Sequence, residues 1–242
     1  VTDPIAILPT QAPAAPVAPA APPWRVGFQA ARANLRPGLA LAAFALAILI
    51  GYYFIPPVHH ALAHIANLKD HLGLLLTIPS SALFGGLIPT FIQRLRDRTP
   101  WSHILFFTAF WAYKGLEIDL FYRFQAFLFG HDAQPLTIAC KVFFDMALYC
   151  PLWAVPNTII IYQFADLGFR WRRLQPRVRR PLPWFFHDVL PILICNWAVW
   201  LPTVCVIYAL PLALQVPMQN LVLCFWSLLL IFQTRKELGA GS

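Results

Sequence analysis

The chain reads as an all-α, polytopic transmembrane helical bundle of about six spans, with both termini on the cytoplasmic side. Composition is the first reason. Of its 242 residues 59% are hydrophobic and 12% charged, against about 45–50% and about 25% in a soluble domain. With a mean hydropathy of +0.62, the chain has more apolar side chains than a soluble core of this length can hide. That excludes a soluble enzyme, a disordered protein and a nucleic-acid binder, although the net charge is +8. The second reason is that the apolar residues come in runs near the ~20 residues a spanning helix needs. Strands do not account for such lengths, whereas a helix satisfies its own backbone groups in lipid. The third is an alternation of basic residues between the runs.

Residues 1–36 form a proline- and alanine-rich arm with a juxtamembrane segment. Seven prolines fall in residues 1–24, and that composition favours a disordered or polyproline-like chain. It is not a signal peptide, because no charged stretch precedes an apolar one. Residues 37–70 give an N-terminal spanning helix, from about Pro37 to Ile55, and an outer loop that begins at Pro56 and Pro57. Residues 71–234 form the main helical domain. Its spans run from about His71 to Ile92, Trp101 to Phe129, Thr137 to Tyr162, Trp184 to Leu210 and Pro211 to Phe232. Prolines inside so many spans suit membrane helices better than soluble ones. The junction at Leu210 and Pro211 leaves two readings, two full crossings or one helix broken at membrane depth. Residues 235–242 are a short polar tail.

The basic residues test that count. Arg25, Arg32 and Arg36 precede the first span. Arg94, Arg96 and Arg98 follow the second, Arg170, Arg172, Arg173, Arg177, Arg179 and Arg180 the fourth, and Arg235 and Lys236 the last. The alternate connections hold Lys69, then Lys141 near a boundary, then nothing. Fourteen basic residues on one side against two on the other is the positive-inside pattern. The arginines from 170 to 180 are read as a topology determinant rather than a headgroup site.

Two basic residues remain, Lys114 and Arg123, inside the third span with Glu117 and Asp119. A charge at the membrane centre costs about 2.5–3.5 kcal/mol on insertion scales, so such residues are the first place to look for function. Lys114 and Glu117 are spaced i,i+3, and Asp119 and Arg123 i,i+4, so each pair meets on a helix face. Lys141 and Asp145 share the fourth span. At ~1.5 Å per residue, Arg123 lies ~10 Å below Gly130 and Asp145 ~12 Å below Thr137. Arg123, Asp119 and Asp145 are therefore expected to form an interhelical network, with Lys114 and Glu117 deeper. These groups either line a water-filled pathway or lock the helices together.

Other features carry less. His59, His60, His64 and His71 cluster at the first outer loop, but their ligand set is too incomplete for zinc. The five cysteines lie in apolar runs without metal or redox spacing. Ser80, Ser81, Ala82, Gly85 and Gly86 permit a close helix approach. There is no nucleophile elbow, P-loop, dinucleotide fingerprint or zinc-protease motif. No enzymatic activity, cofactor or resident metal is expected.

Several segments, in order, resemble the Mpv-seventeen and twenty-two-kilodalton peroxisomal membrane protein family. Ser81 to Gln93 is similar to the family's small-residue helix ending in Gln. Gly115, Asp119, Phe121 and Tyr122 follow a motif in which the family has His and Trp where this chain has Asp119 and Phe121. Lys141, Asp145 and Pro151 match a third motif, with Met146 in place of Gln. Pro211, Asn220 and Trp226 match the C-terminal signature, with Gln215 in place of its Arg. The resemblance covers about Ser80 to Phe232 and suggests a distant, bacterial member.

The resemblance implies a location in a bacterial inner membrane, with an organelle membrane as the alternative, since members occupy inner mitochondrial, peroxisomal and related membranes. Some members behave as weakly selective channels for small solutes. Carried over, Asp119, Lys141, Asp145, Asn220 and Trp226 become pore or packing residues, and Gly115, Tyr122, Pro151 and Pro211 motif positions. The expected function is a channel or pore for small hydrophilic solutes, in contact with the bilayer and capable of oligomerising. The alternative is a non-conducting protein whose buried ion pairs fix helix packing.

Overall fold

The computed structural model describes residues 22–239, without the side chains of residue 97 and of 229–239. Most of the proline-rich arm and the last three residues of the tail lie outside the described residues. Eight helical stretches follow one another, and no strand occurs among the described residues. We label them α1 (Pro23–Phe54), α2 (Pro56–Leu72), α3 (Leu74–Arg96), α4 (Trp101–Phe129), α5 (Pro135–Asp166), α6 (Trp171–Val178), α7 (Pro181–Tyr208) and α8 (Leu212–Gly239).

Helix boundaries follow local chemistry. Proline occupies the first helical turn of α1, α2, α5 and α7, where its missing N–H and fixed φ cost nothing. Gly73 separates α2 from α3 at φ 54°, with its N–H on the Lys69 carbonyl at 2.8 Å. A Cβ there would meet nothing within 4 Å, so the glycine is needed for its left-handed backbone and not for space.

Four helices, α1, α3, α5 and α7, are long and apolar enough to cross a membrane. Helix α4 has the length, 29 residues, but is less apolar because it carries Lys114, Glu117, Asp119 and Arg123. Helix α8 contributes a shorter apolar stretch, Leu212–Leu228. The chain breaks between Tyr208 and Leu212, so α7 and α8 are two helices.

Two sequence expectations change here. Helix α1 begins at Pro23 rather than near Pro37, because the alanine-rich segment before Pro37 is itself helix-forming. The segment expected to be an outer loop contains α2, which turns Val58, Leu62, Ala66 and Lys69 inward, a spacing of one helix face. Helix α6 buries Leu174 completely, and Arg170, Arg172, Arg173, Arg177, Arg179 and Arg180 in and around it are exposed.

Three π-helical segments interrupt the long helices, Ala82–Leu87 in α3, Asp145–Ala154 in α5 and Phe185–Val189 in α7. Each contains the residue four before a proline: Gly85 before Pro89, Ala147 before Pro151, Leu152 before Pro156, and His187 before Pro191. A proline ring clashes with that carbonyl, and widening the turn relieves the clash. In a π turn the carbonyl left without a donor by Pro151 is that of Met146. The indole of Trp197 on α7 donates to it at 2.8 Å, so a neighbouring helix satisfies the freed group.

Candidate functional site

The rotation of an α-helix sorts the charges of α4. At about 100° per residue, Lys114 and Asp119 point about 140° apart. The Lys114–Glu117 pair and the Asp119–Arg123 pair thus lie on nearly opposite faces, and the structure holds two clusters rather than one.

On the first face, Lys69 Nζ lies 2.6 Å from Asp119 Oδ1, with both side chains 4% exposed. Arg123 Nε reaches Asp119 Oδ2 at 2.8 Å, and its side chain is 54% exposed. Lys69 also donates to the Gly73 carbonyl at 3.2 Å. This is a closed ion cluster joining α2 to α4. It corrects the expected Arg123–Asp119–Asp145 network, because Asp145 faces away from both. Lys69, read from sequence as a loop charge, is the missed partner, and the inward stripe of α2 was its signal.

Close backbone approach holds α3 against α4 beside this cluster. A Cβ on Gly115 would lie 2.5 Å from Ser81 Cβ, and one on Gly86 would lie 2.7 Å from Thr108 Cα. Ser81 Oγ donates to Asn220 Oδ1 at 3.0 Å, and Asn220 Nδ2 donates to Ser80 Oγ at 3.2 Å. Gly115 and Asn220 are therefore packing residues, one in the α3–α4 contact and the other in the α3–α8 contact.

On the second face, Lys114 donates to Glu117 Oε1, and the Tyr149 hydroxyl donates to the same oxygen. The Tyr149 ring stacks on Phe121 with centroids 3.8 Å apart. Asp145, in the π segment of α5, accepts from the Tyr208 hydroxyl at 2.6 Å and from the Cys150 thiol at 3.3 Å. The widened turn is what brings Cys150, five residues on, over Asp145. Asn196 Nδ2 in turn donates to Cys150 Sγ at 3.8 Å, and the Tyr122 hydroxyl donates to Gln219 Oε1 at 3.1 Å.

These groups surround a cavity of about 290 Å³ between α4, α5, α7 and α8. Its polar wall includes Lys114, Asp145, Tyr122, Asn196 and Gln219, and its aromatic wall Trp111, Phe121, Tyr149, Trp200 and Trp226. Of the charged residues singled out by sequence, Lys114 and Asp145 line it, and Glu117 is bonded to two wall residues. Asp119 and Arg123 belong to the other cluster. Lys141 is buried away from both; its backbone carbonyl accepts from Gln125 Nε2 at 3.0 Å. Pro151 widens the turn that carries Asp145, and Pro211 lies in the break before α8. Asn196 belongs to the C-terminal segment that carries the family resemblance; Tyr208 and Gln219 were not singled out, since each sits in an apolar stretch with no charge to draw attention.

Among the histidines, His59 stacks on Tyr52 at 4.7 Å. Among the described residues, no group of three His, Cys, Asp or Glu side chains is arranged to hold a metal ion. No family model matches the chain, and comparison with curated proteins and with solved structures finds no match.

Proposed function

We propose that this chain is a multi-pass membrane protein, without enzymatic activity, that passes small hydrophilic solutes with weak selectivity through the cavity between α4, α5, α7 and α8. The reading rests on one observation: a cavity of about 290 Å³ carries buried Lys114 and Asp145 in its walls. That volume is near the lower end, about 300 Å³, of small-ligand sites. Ions at membrane depth are costly and usually face an aqueous space or the bundle interior. A helix widened by Pro151 into a π segment forms one wall, and π turns inside α-helices are frequent at functional sites.

In this reading α1, α3, α4, α5, α7 and α8 are six crossings, α2 lies at the outer face, and α6 lies with its arginines at the inner face beside both termini. The alternation of basic connections supports that arrangement. The chain is then a distant relative of the Mpv-seventeen and twenty-two-kilodalton peroxisomal membrane protein family in a bacterial inner membrane. The matched positions Tyr122, Asp145 and Trp226 all lining one cavity support the relationship.

Reconstitution into vesicles tests it. Osmotic swelling in small polyols should exceed that of protein-free vesicles, and Asn196→Trp, which fills the cavity, should reduce it. Equal swelling with and without protein overturns the reading. The Lys69–Asp119 pair favours a second reading, a structural protein without conduction, because both partners are almost fully enclosed; that reading expects no flux from a stably folded protein.

A further inference from the structure

We propose that the cavity selects a small organic monocation, an alkylammonium of the choline type, with Asp145 as its counter-ion. The inference rests on the reading of this cavity as a solute site and names the class of solute.

Charge within the site leads there. Lys114 is matched by Glu117. Asp145 has no such match: among the described residues, no lysine, arginine or histidine nitrogen lies within 4.0 Å of its carboxylate. Its hydrogen bonds come from two neutral groups, the Tyr208 hydroxyl and the Cys150 thiol. The walls therefore carry one carboxylate uncompensated at close range, in a setting where unpaired ions are unfavourable. A cation in the cavity supplies the missing charge, and an anion adds repulsion.

The rest of the wall decides between kinds of cation. Hard metal ions seek six or more oxygen ligands, and this wall is chiefly aromatic and aliphatic carbon. Trp111, Phe121, Tyr149, Trp200 and Trp226 line the same space, with one face of Phe121 and of Tyr149 taken up by their mutual stacking. Aromatic faces attract alkylammonium groups through the ring quadrupole, and such recognition does not require the cation to exchange its hydration for fixed oxygens. Lys114 already lies 5.9 Å from the Tyr149 ring centroid, so one of these rings faces an ammonium within the protein itself.

The test compares choline with 3,3-dimethylbutan-1-ol, its neutral carbon isostere, on the full chain in lipid nanodiscs. Titrations are read by calorimetry and by the fluorescence of the wall tryptophans. Choline should bind saturably and about tenfold or more tightly than the isostere. Asp145→Asn should bring the two together, while Asp145→Glu keeps a preference for choline. Equal binding of the two by the wild-type protein overturns the inference, and so does a choline preference that survives Asp145→Asn. The wild-type comparison decides even where a variant fails to fold. Vesicle flux separates the two readings. Choline binding without flux keeps the site and removes conduction. Polyol flux without preference for choline keeps conduction and removes this inference.

Discussion

Asp119 is held by two cations and Asp145 by two neutral donors, so the two carboxylates answer differently to substitution. Asp119→Ala leaves Lys69 charged and enclosed, which should cost about 3–5 kcal/mol. The double substitution Asp119→Leu with Lys69→Met should recover most of that loss. Unfolding by denaturant in detergent micelles reads both, and simple additivity of the single changes would contradict the pairing. Tyr208→Phe removes the 2.6 Å bond to Asp145 and should cost about 1–3 kcal/mol, measured in the same way. The spacing of the charges on α4 made both local pairs legible in sequence. Their partners on other helices were not legible from depth alone. Two residues at similar depth meet only when rotation also aims them together, and the five-residue step from Lys114 to Asp119 aims those two apart. Lys69 escaped notice because its stretch was read as a loop, although Val58, Leu62 and Ala66 mark the same helical face.

At the scale of elements, small residues and prolines set the geometry. Gly115→Val places a methyl-bearing carbon where Ser81 already sits. It should push α3 from α4, disturb the Ser81–Asn220 bond and cost about 1–3 kcal/mol, visible as a lowered unfolding midpoint; Gly73→Ala should cost less, because only its backbone is strained. Trp197→Phe leaves the Met146 carbonyl without a donor opposite Pro151 and should destabilise by a comparable amount, about 1–3 kcal/mol. The same substitution with Pro151→Ala, which returns a backbone N–H to that turn, should be milder, again by unfolding midpoint. The small-residue stripe of α3 was readable because close approach demands it. The π segments were not, since the turns that precede Pro37, Pro79, Pro202 and Pro217 are not widened. At Pro151 the donor to the freed carbonyl is Trp197, on another helix and remote in sequence.

At the scale of the whole molecule, the helical, membrane-type character was evident from composition, because apolar excess and run length leave few alternatives. The number of crossings depends on α4 and α8. One is diluted by the charges that define the site, and the other is short in its apolar part. Cysteine introduced at His64 should be modified by a membrane-impermeant reagent from outside intact cells, and cysteine at Arg177 only after permeabilisation. Reversal of that pattern would invert the arrangement of α2 and α6.

The distance along the chain between partners has a consequence for biogenesis. Lys69 and Asp119 are 50 residues apart, and Asp145 and Tyr208 are 63 apart. In vectorial synthesis each first member reaches the insertion machinery well before the second exists. Neither bond can form until the later helix has been made, and the cavity wall is complete only once α8 has brought Gln219 and Trp226.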